Sequence, residues 1–266
     1  MMDLEFAQLS DPGRVRGHNE DFLGYALPET PAQARSHGWL FVLADGVGGQ
    51  QQGEVASRTA VESLLAGFRE AAAGELHAAL LVRLVQAANH HVHEAGIAAG
   101  PDGAAMATTL VACALRFDRA AVAHVGDSRC YLIRRGQAAQ LTRDHTFANE
   151  QVRLGLLSAD KAAEAPTRHV LSRSLGSELF VNIDTSDLQV FKDDVLLLCS
   201  DGLHNAVTAS EMADLVSASP NLGAAAKELV AIANQRDGSD NISVQLIRVR
   251  SVERIGMYRG RPYMLR

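Results

Sequence analysis

TTLVACALRFDRAAVAHVGDSRCYLIRRGQAAQLTRD, residues 108–144, holds four short runs in close succession: TTLVACALRF, AAVAHVGD, RCYLIRRG and QAAQLTRD. Each is rich in strand-forming side chains, and turn residues separate them, Arg135-Gly136 being the expected tip of a hairpin. Runs so closely spaced read as an antiparallel meander. Toward the N-terminus, EFAQLSD (5–11) and DFLGYAL (21–27) alternate apolar and polar residues around the turn signal Pro12-Gly13, and WLFVLAD (39–45) is a continuous apolar run that reads as a buried strand. Two helices are expected next: 53–73, with Val55, Ala56, Ala60, Leu64, Leu65 and Phe68 at helical spacing, and the alanine-rich 75–98. Beyond the meander lies a polar segment with helical patterning at 147–164, where Ser158 is placed to cap a short second helix. Strands return at VNIDTSDLQV and DVLLLCSD, a helical portion covers 210–236, and NISVQLIRVR ends the pattern. Strands cluster and do not alternate with helices, so the fold class is α+β: two stacked antiparallel sheets with helices outside, a four-layer α-β-β-α sandwich.

With 266 residues, 47% of them hydrophobic, the chain can bury one sizeable core, and no low-complexity linker divides it. One catalytic domain over 1–250 is expected, followed by an Arg-rich C-terminal extension at 251–266. The net charge of −6 argues against a nucleic-acid binder, which needs a broad basic face. No apolar stretch approaches the ~20 residues that span a bilayer, and the start MMDLEFAQLSDPGRVRG lacks the charged and apolar regions of a signal peptide. A cytoplasmic monomer with no membrane span is expected. Cys113, Cys130 and Cys199 lie in strand-like runs without CxxC spacing and read as buried reduced thiols. His90, His91 and His93, with Glu94 one turn from His90, read as a solvated helix face.

Three aspartates stand at the edges of apolar runs: Asp45 in LADGVGG (43–49), Asp201 in LLLCSDGLH (196–204) and Asp240 in GSDNISV (238–244). There a carboxylate leaves the core and can face a common cleft, and converging carboxylates suit hard cations such as Mg²⁺ and Mn²⁺. The glycines of DGVGG, Gly46, Gly48 and Gly49, allow close backbone approach that a Cβ would block.

Eight motifs then occur in order: RGHNED (16–21), ADGVGG (44–49), GAAMATTL (103–110), VGDSRCYL (125–132), LTRDHT (141–146), VLSRSLG (170–176), CSDGL (199–203) and SDNIS (239–243). Any one is weak, since DG and GDS ordinarily mark turns. Together, across Gln8 to Val249, they resemble the bacterial branch of the type 2C metal-dependent serine/threonine protein phosphatases. The resemblance implies that Asp45 bridges two Mn²⁺ or Mg²⁺ ions, with the Gly46 carbonyl on one ion and Asp201 and Asp240 on the other. It implies further that Glu20 and Asp21 hold metal-bound waters, that Arg16 grips the substrate phosphate, and that Asp127 serves a third, weaker ion. A metal-activated hydroxide would attack phosphoserine or phosphothreonine directly, without a covalent intermediate. Phosphorylated proteins would be the substrates, a Ser/Thr kinase the opposing partner, and residues 146–164 the family's flap beside the site.

The chain departs from that pattern at the proton donor. Val47 stands where eukaryotic relatives carry histidine, and Gln50 and Ala165 where many bacterial ones do; His145, His169 or a metal-bound water is left to serve, water being preferred. Asn205 occupies a position where some relatives have aspartate. Two competing readings are a phosphatase-fold binding module that has lost its metals, against which Asp45, Asp201 and Asp240 are intact, and another two-metal hydrolase such as a nuclease or small-molecule phosphatase.

Overall fold

The computed structural model describes residues 2–47, 51–100, 106–253, 255–258 and 261–264. The chain begins with β1 (Asp3–Asp11) and β2 (Asp21–Ala26). A short helix α1 (Pro31–Ser36) follows, which hydropathy patterning does not anticipate because one residue, Ala34, supplies its buried face. Local chemistry makes it: Thr30 accepts from Gln33 N–H, Gln33 reaches back in a capping box, and Pro31 presets the first turn. Next come β3 (Trp39–Val47), α2 (Gln51–Arg69) and α3 (His77–Ala98). Then β4 (Ala107–Thr108), β5 (Leu110–Arg116), β6 (Arg119–Val125), β7 (Arg129–Arg134) and β8 (Gln137–Gln140) fill the stretch that the four runs marked.

These strands do not form one meander. β5 and β6 belong to a sheet ordered β2-β3-β5-β6 and closed by β9 (Asp184–Gln189), with β4 on β3. β7 and β8 belong to a second sheet that also holds β1, β10 (Val195–Cys199) and β11 (Ile242–Ser251), in the order β1-β11-β10-β7-β8. All pairings are antiparallel. The chain changes sheets at Gly126–Ser128, and the reason is local. Gly126 has φ +101°, and a Cβ there would lie 2.7 Å from the Thr109 side chain, so only glycine makes this bend. The β7–β8 hairpin is as expected, with positive φ at Arg135 and Gly136.

Three cores hold four layers. Along β3, Leu40, Val42 and Ala44 pack with α2 and α3, whereas Phe41 and Leu43 face the other sheet, which explains the unbroken apolar run WLFVLA. Leu196, Leu198, Ile247 and Val249 meet Phe41, Leu43 and Val111 between the sheets. On the far side Leu197, Val244 and Leu246 pack against α6 (Asp201–His204), α7 (Ala209–Ala218) and α8 (Leu222–Arg236); the helical portion expected at 210–236 is the pair α7 and α8, and α6 precedes it. Thr208 and Asn221 cap α7 and α8. The polar segment folds as α4 (Phe147–Arg153) and α5 (Ala159–Glu164); Ser158 does occupy the cap position of α5, but its side chain makes no capping hydrogen bond. After β11, β12 (Ile255–Tyr258) and β13 (Arg261–Met264) pair as a hairpin. The three cysteines are buried free thiols, and His90 and Glu94 pair at 3.2 Å on the exposed face of α3.

Gly126→Ala should lower stability by more than about 1 kcal/mol, because the new Cβ meets Thr109 and the backbone conformation is one that L-residues avoid. A urea melt would check this through a lower midpoint at unchanged slope.

Candidate metal centre

The two sheets end together at one edge of the sandwich, and their ends carry the acids. In the first sheet Asp21 opens β2 directly opposite Asp45 on β3. In the second, Asp201 follows β10 and Asp240 precedes β11. Asp127 sits in the link that crosses between the sheets. A cavity of 980 Å³ is lined by Glu20, Asp45, Gly46, Asp127, Asp201 and Asp240, with Arg16 at its side. Asp21 lies behind this wall, buried, with Oδ1 lacking any hydrogen-bond partner.

Uncharged side chains hold the acids in place. The Thr109 hydroxyl accepts the Asp45 N–H at 3.0 Å, and the Thr108 hydroxyl donates to the Asp45 carbonyl at 2.8 Å. Ser200 Oγ donates to Asp21 Oδ2 at 2.8 Å and accepts the Ser243 N–H, so one hydroxyl ties the acid of one sheet to the backbone of the other. Asn241 Oδ1 accepts the Glu20 N–H, while its Nδ2 donates to the carbonyls of Pro12 and His18. Gly46 packs so tightly that a Cβ would come within 2.1 Å of the Gly53 carbonyl oxygen. Arg16 donates to Asp240 Oδ2 at 2.8 Å, and Asn205 donates to Asp201 Oδ2 at 3.3 Å.

This crowding changes proton affinity. Burial, then the charges of Asp201 and Asp240, pushes Asp21 up to about 7; burial and Asp201 push Asp127 to about 7; burial and Asp240 push Asp201 to about 6. Burial and four neighbouring aspartates hold Asp45 well above the ordinary carboxylate range, and burial raises Glu20. Carboxylates so arranged resist ionisation unless cations neutralise them. The donor set, all oxygen, and the unpartnered Asp21 Oδ1 fit hard divalent ions and the waters they retain.

Over residues 18–237 the chain matches the family model described as Protein phosphatase 2C. It belongs to that family. It is 36% identical over 263 residues to the "Serine/threonine phosphatase stp" of Listeria welshimeri, covering 98% of this chain and 99% of the relative. The S. agalactiae serine/threonine phosphatase superposes with a TM-score of 0.85 at 32% identity, covering 93% of this chain and 100% of that one. The catalytic domain of the protein phosphatase PstP, solved in complex with two manganese ions, gives 0.79 at 32% identity over 94% and 99%.

In this member of the protein phosphatase 2C family the cleft gathers Arg16, Glu20, Asp45, Gly46, Asp127, Asp201 and Asp240, with Asp21 just behind; Gly48, Gly49 and Gln50 lie outside the described residues. Sequence reasoning assigned no role to Thr108, Thr109, Ser200 or Asn241. Their signal was present, since each small polar residue adjoins an acidic motif or pairs with one across a strand. His145, a candidate proton donor, is fully buried away from the cleft wall. With His124 and Asp184 it forms a compact trio whose ligand-type atoms lie within 4.8 Å of one another. That trio is a hydrogen-bond network. His145 Nδ1 accepts the Gly126 N–H at 3.1 Å, its Nε2 lies 3.3 Å from Arg173 Nη1 and 3.4 Å from Asp184, and Arg173 donates to Asp184 at 3.0 Å. His124 Nε2 meets the Arg143 carbonyl at 2.9 Å.

The raised carboxylates predict a pH-dependent effect of metal. A group whose folded pKa is raised contributes stability below its unfolded value near 4 and loses it as pH rises through the folded value, here about 6 to 7. Buried His77, His145 and His204, held down to about 4, 4 and 3, titrate in the opposite sense, so the comparison must be between metal-loaded and chelated protein at the same pH. Mn²⁺ at about 100 times its Kd should raise Tm by roughly 5–10 °C at pH 8. At pH 5, where protons compete for the same oxygens, the rise should be much smaller; scanning calorimetry reads both.

Proposed function

We propose that this chain is a metal-dependent protein phosphatase that hydrolyses phosphoserine and phosphothreonine, with Mn²⁺ or Mg²⁺ held by the acidic cleft. The observation that carries this reading is the convergence of Glu20, Asp45, Asp127, Asp201 and Asp240 on one cavity beside Arg16, in a chain of the protein phosphatase 2C family. Asp45, Asp201, Asp240 and the Gly46 backbone would hold two core ions, Glu20 and Asp21 their waters, and Asp127 a third ion. When bound, the two cations supply Lewis-acid stabilisation of the phosphoryl oxygens and lower the pKa of a water to near neutrality.

The protein's own groups do the rest. Arg16 sits where its planar guanidinium, one N–H of which is held by Asp240, can turn further donors to a phosphate and fix the phosphorus for in-line attack. Ser200, Asn241, Thr108 and Thr109 keep the carboxylates aimed without adding charge. Residues 146–164 form a flap bearing exposed Phe147, Leu154 and Leu156, with Val170 beside them on the cleft side, apolar contacts suited to a protein substrate. Residues 1–250 would act as one catalytic unit and a monomer, with a Ser/Thr kinase supplying its substrates. No helix among the described residues is long and apolar enough to cross a membrane, and we place the protein in the cytoplasm.

Asp45→Asn and Asp201→Asn should each cut Mn²⁺-dependent hydrolysis of a phosphothreonine peptide by orders of magnitude while the protein stays folded. Near-wild-type turnover with two ions still seen by calorimetry would show the ligands to be elsewhere. Arg16→Ala should instead raise KM for the peptide by about ten- to a hundredfold, the worth of a charged hydrogen bond, with metal affinity little altered. Steady-state kinetics beside isothermal titration with Mn²⁺ would separate the two effects.

A further inference from the structure

Of the two histidines that the sequence offers as proton donors, one reaches the cleft. His145 is buried and both its ring nitrogens are engaged. His169 is exposed, in the segment after the flap, and lines the cavity together with Arg16, Asp201 and Asp240. Its neighbour decides its chemistry. Arg168 Nε donates to His169 Nε2 at 2.7 Å. Guanidinium has no acceptor and does not deprotonate, so Nε2 must be the acceptor and the ring proton resides on Nδ1. Protonating Nε2 would set an N–H against an N–H beside a fixed positive charge. Burial and that charge hold His169 below its ordinary value, so at neutral pH it is a neutral donor and not a source of protons.

Position indicates what it would meet. The floor of the cleft is Asp45, enclosed by its neighbours, whereas His169 stands on the exposed rim. On the same wall Ser174 and Ser177 are bonded to one another at 2.6 Å, and the Val170 carbonyl accepts the Phe147 N–H. A phosphate on the floor leaves the polypeptide that carries it at the level of the rim. We propose that His169 is a substrate-positioning residue: its Nδ1–H, set as the donor by Arg168, hydrogen-bonds a main-chain carbonyl of the phosphoprotein where that chain leaves the cleft. The proposal rests on the phosphatase reading of the site and adds a contact that favours peptide over small phosphate esters.

The test uses the full chain with Mn²⁺, a phosphothreonine peptide and p-nitrophenyl phosphate, which has no main-chain carbonyl. His169→Ala should lower the ratio of peptide to aryl-phosphate kcat/KM by roughly three- to tenfold, the worth of one neutral hydrogen bond, with the change in peptide KM. His169→Asn, which keeps an N–H donor close to the place of Nδ1, should restore the ratio to within about twofold of wild type, as a merely structural role would not require. Two-bond ¹H–¹⁵N NMR should show the Nδ1–H tautomer at His169, with Arg168→Met shifting it toward Nε2–H. An unchanged ratio in His169→Ala, an Asn variant no better than Ala, or an Nε2–H tautomer in the wild type would each overturn the proposal. So would a kcat loss of about a hundredfold on the peptide with the aryl phosphate little changed, the mark of a general acid, since p-nitrophenolate leaves without a proton. Wild-type protein that hydrolyses neither substrate would instead overturn the phosphatase reading itself.

Discussion

Several carboxylates buried together repel one another, and the structure around the cleft is organised by the need to keep them there. Ser200 and Asn241 meet that need. Ser200 donates to Asp21 while accepting from Ser243, and Asn241 satisfies Glu20, Pro12 and His18 at once, so the end of one sheet is stitched to the end of the other by uncharged groups. A buried ammonium in either place would neutralise the acids and remove their appetite for cations. An apolar residue would leave backbone N–H and C=O groups unpaired, at a cost of about 1–3 kcal/mol each. Neutral hydrogen-bonding side chains are the chemistry that fixes the acids and leaves their charge available.

Much of this was legible in the chain because strand ends announce themselves. WLFVLAD and LLLCSD place an acid where an apolar run stops and SDNIS one where a run starts, and period and length alone assign those runs to strands. What the sequence concealed were events at single residues. The four runs of 108–144 look like one meander because pairing is invisible to hydropathy; Gly126 divides them between sheets, and its cue is a steric clash with Thr109 that no pattern encodes. Helix α1 was missed for a related reason, since a capping box and a proline make it while a single alanine buries. Ser158 has a cap residue's identity and backbone without the hydrogen bond, a reminder that cap chemistry is a matter of rotamer as well as residue type.

The histidines illustrate how neighbours set the role of a titratable group. His145 and His124 stack at 4.7 Å inside a network with Asp184 and Arg173, which joins the flap base to β9 and keeps both rings neutral by burial. His204 donates to the Asp127 carbonyl and so steadies the crossing link. Of the loci weighed for proton donation, Val47 is apolar, His145 is sequestered and His169 has its tautomer set by an arginine.

The pairing of β1 with β11 has a consequence for how the protein comes into being. Asp3–Asp11 must wait for Ile242–Ser251, and Asn241 bonds to Pro12 across 229 positions of chain. By contrast β2, β3, β5 and β6 pair with near neighbours, so the half of the molecule that bears Asp21 and Asp45 can assemble while the ribosome is still making the remainder. The half that bears Asp201 and Asp240 cannot. Nascent chains thus pass through a stage in which two acids stand paired at an unfinished edge, and the complete cleft is born only when the last large strand slides between the first one made and β10.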